Sequence, residues 1–401
     1  MTALVEREIV RTFRAAHAEA AASVLRDSGG DLDLAEAATD AAFAAACEEW
    51  DRDGIPERPD RWVVARARRA AFDQLQHTDG SPDSATALSE DATALSEDSA
   101  EDHRLALIFT CCHPALHLPA RVTLALRFCA GLSLTEIAHA FGVDDGTMRY
   151  RLDLAKRPVT RGDIAFAVPA AEDIDDRLDT VLAVLYLIFN EGYVGSRSAT
   201  LTGDDLSAEA IGLARTLLSE LPDHDDIRGL LALMLFISSR RRARIGLHGD
   251  LIALPQQDRG LWDSDAIAEA EFLLRQARRS PRRSRYTVEA EIQALHAATA
   301  GGAPADWRAV LRHYDTLRLI APGPSVDLNR AVALAEVEGP AAALDVVDAL
   351  PADSHLWHAV RADLLERLGR TEEARRQWQL GSTRAEPGAE QAYMATHMTR
   401  H

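Results

Sequence analysis

Aromatic residues, cysteine and long apolar runs are all scarce in this sequence. Phe, Trp and Tyr account for 5% of its 401 residues, although hydrophobic residues of all kinds reach 47%. A chain rich in alanine, leucine and arginine but poor in aromatics favours packed helices over sheets. Four cysteines are too few for a disulfide framework in a chain of this length, which excludes the small disulfide-rich secreted class.

Membrane-spanning and secretory segments are missing as well. No apolar run reaches the roughly 20 residues that a transmembrane helix needs. The opening residues MTALVEREIV carry charges where a signal peptide has its apolar segment. The sequence therefore predicts a cytoplasmic protein without a membrane partner, with roughly two to three domains by its length.

Basic residues are outnumbered, since Lys and Arg total 44 against 63 Asp and Glu, for a net charge of -19. The deficit is uneven along the chain. Residues 79–103 hold eight acidic and no basic side chains, whereas residues 104–162 hold eight basic and four acidic ones. Because the local field governs contact with phosphates, residues 104–162 are the segment suited to nucleic acid.

The acidic segment is also of low complexity. It contains the heptad ATALSED twice, at 85–91 and 92–98. Such small and acidic sequence buries too little apolar area to offset the entropy of ordering it. We therefore predict a flexible acidic linker over residues 79–103.

Helical periodicity dominates the rest of the chain. Before the linker, apolar residues recur at helical spacing over 4–28, 33–50 and 62–76, and either Asp31 or Asp33 can cap the second helix. From residue 173 onward one helical segment follows another, punctuated by Gly and Pro, and no strand pattern stands out. The predicted fold class is all-α.

The stretch LSLTEIAHAFGVDDGTMRYRLDLAKRP, residues 132–158, has the spacing of a helix-turn-helix. Ser133 and Glu136 have capping-box spacing, and Gly142 stands where the turn requires a positive φ. Asp144 or Asp145 can cap the second helix. Its apolar residues Met148, Leu152 and Ala155 recur at the spacing of a buried helix face. Pro158 is expected to end the helix.

The outer face of that second helix is basic. Arginine can bind guanine through two hydrogen bonds, and a basic helix end suits phosphates. Asp153 interrupts the face, and we expect it to pair within the helix with a basic neighbour. The alternative is a solvated basic face without a nucleic-acid role. The outward residues are Arg149, Tyr150, Arg151, Asp153, Lys156 and Arg157.

Residues 329–350 and 359–380 look like two copies of one helical hairpin. Gly339 and Gly369 stand at the tight turns, and a small alanine follows each of them where the helices cross, at 343 and 374. Stacked hairpins of this kind form a concave surface suited to a protein or peptide partner. The alternative is a solenoid that only completes the core.

Two further patterns invite a catalytic or metal site. TCCHPALH places two thiols and two imidazoles, Cys111, Cys112, His113 and His117, within seven residues, but Pro114 breaks the helical spacing of the histidines. IFNEGY, residues 188–193, interrupts an apolar helix with Asn190 and Glu191, so we expect Glu191 to be buried and paired in a structural polar network with an arginine such as Arg215, Arg244 or Arg259. The alternative is a ligand pocket or a latch between domains. We predict buried thiols, including Cys47 and Cys129, and no metal, no cofactor and no enzyme active site.

The sequence resembles an extracytoplasmic-function RNA polymerase sigma factor. The resemblance is carried by DLDLAEAATDAAFAAACEEW and RWVVARARRAAFDQL, then by LIFTCCHPALHLPARVTLALRFCAGLSLTEIAHAFGVDDGTMRYRLDLAKR. Beyond these, RLDTVLAVLYLIFNEGY, LSAEAIGLARTLL, GLLALMLFISSRRRAR and QDRGLWD resemble the C-terminal extension of one subgroup, which ends in repeats like tetratricopeptides.

The resemblance implies partners and roles. It implies that residues 1–78 bind core RNA polymerase and melt promoter DNA, that 104–162 read a distal promoter element, and that 163–401 form a helical regulatory extension. By matching positions, the implied polymerase-binding residues are Asp33, Glu36 and Phe43. In the same way Trp62, Arg68 and Asp73 match the melting helix, and Thr147, Arg151 and Lys156 match the recognition helix. The DNA-binding residues we predict are therefore Arg68, Thr147, Arg151 and Lys156, together with their basic neighbours Arg69, Arg149 and Arg157.

The sequence also departs from the family pattern. Ala37, Asp40 and Ala41 replace acidic and amide residues of the polymerase-binding motif, and Gln74, Gln76 and His77 stand where the melting helix usually ends in a basic tail. Each missing cation leaves one phosphate without its partner. A degenerate sigma-like scaffold that no longer binds promoters is therefore the alternative. We also expect the extension, with a net charge of -10, to cover the basic recognition face.

Overall fold

The computed structural model describes residues 3–79, 97–194, 203–246, 251–298, 305–385 and 388–399. Within these ranges the chain forms helices and no strand, apart from one antiparallel bridge between Ile245 and Leu251. The predicted all-α class is confirmed. Among the same residues, every helix is too short or too polar to cross a bilayer.

The chain divides into two compact units, Met1–Pro222 and Asp223–His401. The helices of the first unit are α1 (Ala3–Asp27), α2 (Leu32–Asp53), α3 (Pro59–Asp79), α4 (Glu97–Cys111), α5 (Leu118–Leu124), α6 (Leu134–Ala140), α7 (Asp145–Thr160), α8 (Ile174–Val194) and α9 (Gly203–Glu220). A π-helical turn, Ala125–Cys129, continues α5.

Helices α1 to α3 pack on one another around an alanine-rich core. Asp31, rather than Asp33, caps α2, because its carboxylate accepts hydrogen bonds from the backbone of Asp33 and Leu34. The rings of Trp50 and Trp62 meet edge to face, 5.4 Å apart, between α2 and α3. Small alanines allow this close packing, so few aromatics suffice to fill the core.

Helices α6 and α7 form the predicted helix-turn-helix. The capping box of Ser133 and Glu136 is present, Gly142 has a φ of +61°, and Asp144 caps α7. The expected end of α7 at Pro158 is wrong, because the helix runs to Thr160. A proline this close to the end removes a single backbone hydrogen bond. The apolar positions Met148, Leu152 and Ala155 are all buried.

The first hairpin of the expected extension is α8 with α9. It packs against α4 and α5 in the same compact unit. Leu185 and Leu213 of this hairpin line a small apolar cavity with Ile108 and Cys112. Arg104 of α4 pairs with Glu220 at 2.8 Å. Residues 163–194 and 203–222 therefore belong to the same compact unit as the helix-turn-helix.

The predicted linker falls largely on residues 80–96, which lie outside the described part of the chain. From Glu97, inside the predicted linker, the backbone is helical.

The second unit is a succession of helices and helical hairpins. Its helices are α10 (Asp225–Ser239), α11 (Arg241–Arg244), α12 (Ser264–Ala277), α13 (Arg285–Ala297), α14 (Trp307–Ile320), α15 (Pro324–Glu338), α16 (Pro340–Asp348), α17 (His355–Arg367), α18 (Thr371–Arg384) and α19 (Ala389–Thr399). Gly339 and Gly369 form the predicted tight turns with φ of +98° and +74°. Ala343 and Ala374 are buried where the hairpin helices meet, as expected from their size.

Candidate functional site

Five charged side chains meet between α2 and the helix-turn-helix segment of the first unit. Lys156 Nζ lies 2.6 Å from Asp33 Oδ1 and 2.9 Å from Glu36 Oε2. Arg127 Nε lies 2.7 Å from Glu36 Oε1, and Arg127 Nη2 lies 2.8 Å from Asp40 Oδ2. We call these five residues the ion-pair cluster. It joins two predicted polymerase-binding residues to a predicted DNA-binding residue.

The cations of the ion-pair cluster are buried and its carboxylates are more open. The side chains of Arg127 and Lys156 are 6% and 7% exposed, whereas those of Asp33 and Asp40 are 64% and 54% exposed. Glu36, at 20%, lies between the two cations and binds both. Lys156 is the only lysine in the sequence. The one lysine ammonium of the protein is therefore engaged in this cluster.

Proton affinities within the cluster follow from these contacts. Burial opposes ionisation of Glu36, but the hydrogen bonds and charges of Lys156 and Arg127 outweigh it and hold the pKa of Glu36 below its ordinary value. Burial likewise disfavours the ammonium of Lys156, yet Asp33 and Glu36 raise its pKa above the ordinary value. Glu36 and both of its cationic partners are therefore charged at neutral pH.

Arg127 was not among the residues that the sequence singled out. It lies in the π-helical turn after α5, where Ala130 N–H bonds Ala125 O, and its Nη1 also donates to Leu132 O at 3.2 Å. The available signal was a lone arginine inside the apolar run VTLALRFCAGL. A cation in such a run needs buried partners, but the sequence did not reveal that α2 supplies them.

The remaining predicted residues of the recognition helix have a different environment from Lys156. Arg149, Arg151 and Arg157 are exposed on α7. Tyr150 is 63% exposed between the first two arginines. Thr147 Oγ1 donates to Asp144 Oδ2 at 2.6 Å, which places it in the cap of the helix.

Acidic and aromatic residues complete the surroundings of α7 and α3. Asp153 lies 3.6 Å from Lys156, so the expected intrahelical pair is confirmed.

On α3, Arg68 is buried and pairs with Asp27 at 2.9 Å. Arg69 is exposed, pairs with Asp73 at 3.1 Å and lies over the ring of Phe72. Gln74 and Gln76 are exposed, and the side chain of His77 lies outside the described set.

Phe43 of α2 is a core residue in this structure. It is 6% exposed and contacts Phe13 with ring centroids 4.5 Å apart. His17 stacks on the same side, and its Nδ1 lies 3.4 Å from Phe128 O. Gly131 fits against His17, where a Cβ would approach the ring to 3.1 Å, so α1 and the end of the π turn are closely packed.

Acid is expected to weaken the first unit through His17. Burial, then the nearby charge of Arg127, lowers the pKa of His17 to about 4, against the weaker opposing effects of Phe128 O and Glu36. As pH falls from about 6.5 to about 4, the unfolded chain binds a proton that the folded chain excludes. The free energy of unfolding then falls by about 1.4 kcal/mol per pH unit.

Urea unfolding of wild type and His17→Gln checks this. The wild-type chain should lose about 2 kcal/mol relative to the variant between pH 6.5 and pH 4.5. His139→Gln, which changes an exposed histidine of α6, should keep the wild-type pH dependence. Parallel dependences of the free energy of unfolding on pH in wild type and His17→Gln would contradict the lowered pKa of His17.

The thiols and imidazoles of TCCHPALH do not converge. Cys111, Cys112 and Cys129 are buried, as expected, and burial contributes to raising the pKa of the first two thiols; for Cys111 the hydrogen bond with Cys129 raises it most. His117 caps α5 through Ala120 N–H, and His113 accepts from Ala115 N–H. In the described ranges, three or more metal-ligating side chains nowhere group around one point.

Two expectations about single residues are wrong. Cys47 is exposed on α2 rather than buried. Glu191 is also exposed, because its position falls on the outer face of α8, while Asn190 beside it is half-buried. Two of its expected partners contact other groups: Arg244 pairs with Glu390 at 3.3 Å, and Arg259 lies over the ring of Trp262.

Comparison with known proteins places the chain in a family. Residues 177–278 match the family of unknown function DUF6596, a domain found in sigma-factor-like proteins. No solved structure matches the chain significantly. An uncharacterized protein of Rhizobium meliloti (strain 1021) is 36% identical over 376 residues, which is 91% of this chain and 89% of that protein. The chain therefore belongs to the same family as that Rhizobium meliloti protein, and carries a DUF6596 domain across the junction of its two compact units.

Proposed function

We propose that the protein is a sigma-factor-like transcription initiation protein that binds core RNA polymerase and promoter DNA. The observation that carries this proposal is a capped helix-turn-helix whose second helix exposes Arg149, Tyr150 and Arg151 together. Arginines so placed can bind base edges in a major groove. The protein would supply no catalytic residue of its own, since the chemistry of transcription belongs to the polymerase.

The extension would regulate the protein in cis. Its first hairpin, α8 with α9, packs on α4 and α5. The DUF6596 region starts at residue 177, within the unit that holds the helix-turn-helix. The hairpins formed by α15 to α18 have the form of surfaces that bind proteins or peptides. A partner protein or peptide at these hairpins would supply the regulatory signal.

Binding of the full chain to its cognate core RNA polymerase tests the proposal. With the fluorescently labelled chain, we expect saturable binding with a Kd below about 1 µM. The complex should also survive gel filtration. An unrelated acidic protein of similar net charge controls for nonspecific electrostatic binding to the polymerase. Absence of binding at the highest usable concentration would refute the proposal.

A degenerate interaction scaffold is the second candidate. The specific observation in its favour is that Arg68 and Lys156, both implied DNA contacts, are buried in ion pairs with Asp27 and with the α2 carboxylates. A scaffold would bind polymerase or a partner protein without yielding promoter-dependent transcripts. Replacing Gln74 and Gln76 with arginine would then leave DNA affinity unchanged.

A further inference from the structure

We propose that the ion-pair cluster holds the free protein in a closed state, in which the polymerase-binding carboxylates and the lysine of the recognition helix occupy one another. Polymerase binding to α2 would open the cluster and release Lys156 to DNA. This inference rests on the proposed function, because that function supplies the two partners. It differs from the expectation that the acidic extension covers the basic face, since here α2 supplies the covering carboxylates.

The same side chains are needed twice in this scheme. Lys156 Nζ lies 2.6 Å from Asp33 and 2.9 Å from Glu36, so any cation of the polymerase must compete with it for these carboxylates. Lys156 in turn is 7% exposed and cannot reach a phosphate. One contact therefore masks part of both proposed surfaces.

The ion pairs of the cluster can separate when other partners are offered. Buried ion pairs lose hydration on forming, so their net contribution is small compared with their Coulombic attraction. Asp33 and Asp40 are already more than half exposed, so water can solvate them in the open state, and the cost of opening lies with the buried cations, which need new partners. A competing surface that offers cations to α2 and phosphates to α7 would shift the balance to the open state.

Linkage makes the two binding events cooperative. If polymerase binds only the open state, then its binding raises the affinity for DNA, and DNA raises the affinity for polymerase by the same factor. The arginines Arg149 and Arg151 stay exposed in the closed state. Weak DNA binding would therefore persist before opening, with full affinity only in the ternary complex.

The single lysine gives a direct measure of opening. In the full chain, acetylation by an amine-reactive ester at pH 8 is read by mass spectrometry; it needs an accessible and unprotonated amine, so both the burial of Lys156 and its ion pairs slow the reaction. We expect Lys156 to react at least ten-fold more slowly in wild type than in Asp33→Asn/Glu36→Gln, which removes both carboxylates that hold its ammonium. In Arg66→Gln, which breaks an exposed pair with Glu49, Lys156 should react at the wild-type rate. Equal rates in wild type and in the urea-denatured chain would overturn the closed state.

Polymerase supplies the second arm of the experiment. Saturating core RNA polymerase should raise the wild-type acetylation rate at Lys156 at least ten-fold. In the absence of DNA, Arg127→Gln/Lys156→Gln should bind polymerase about ten-fold more tightly than wild type. If polymerase binds but Lys156 stays protected from acetylation, the proposed opening is wrong and the proposed function still stands. No polymerase binding by either chain would overturn the regulation and the proposed function together, whereas the labelling of free protein still decides whether the cluster is closed.

Discussion

Replacing Arg149 and Arg151 together with alanine is expected to weaken promoter DNA binding by about 100-fold, since each well-placed arginine contributes roughly 1–3 kcal/mol. Both side chains are exposed on α7, so their removal should leave the helix-turn-helix folded. The measurement is the affinity of the complex of full chain and core polymerase for a promoter fragment. The dependence of that affinity on salt should also flatten, by about one unit of slope for each phosphate that is no longer neutralised.

A matched control separates this site from general positive charge. Arg242 and Arg279 are exposed in the second unit, and their double replacement with alanine removes the same charge from the chain. We expect the control to change DNA affinity less than three-fold. Equal reductions in the two double variants would mean that α7 is an ordinary solvated face, and the helix-turn-helix would then not be the DNA-reading element.

Gly229→Ala is expected to destabilise the second unit by about 2–3 kcal/mol, because it overpacks a helix crossing. Gly229 is buried on α10, and a Cβ there would lie 2.6 Å from Thr287 Oγ1 and 2.9 Å from the backbone nitrogen of Thr287. The threonine hydroxyl could rotate away, but the backbone of α13 could not move without separating the two helices. Urea unfolding monitored by circular dichroism measures the destabilisation.

The same substitution at Gly212 provides the control. Gly212 is exposed within α9, and nothing lies within 4 Å of the position its Cβ would take. There alanine should stabilise the helix by about 0.5–1 kcal/mol, because glycine costs that much in a helix interior. A small effect of the same sign at both sites would show that α10 and α13 are not as close as described.

Local features of this protein were predictable from the sequence because they depend on neighbours in the chain. The capping box at Ser133, the positive φ of Gly142 and the turns at Gly339 and Gly369 each involve groups only a few residues apart. The buried spacing on α7 has the same local origin. The helical periodicity likewise predicted the all-α class.

The candidate site was less predictable because its contacts span long sequence separations. Lys156 bonds to residues 120 and 123 positions away, and Arg127 to residues 87 and 91 positions away. Neither partner could be assigned from spacing, since nothing local to 127 or 156 specifies α2. The expectation for Glu191 failed for the related reason that a polar group in an apolar run can face solvent on the outer side of its helix.

Run-off transcription tests the central claim most directly. Cognate core RNA polymerase and fragments of the encoding genome are combined with the full chain or with Arg149→Ala/Arg151→Ala. The account predicts discrete promoter-dependent transcripts that require the full chain and that are absent with the double variant. Absence of transcripts with the wild-type chain, despite polymerase binding, would contradict it and leave an interaction scaffold.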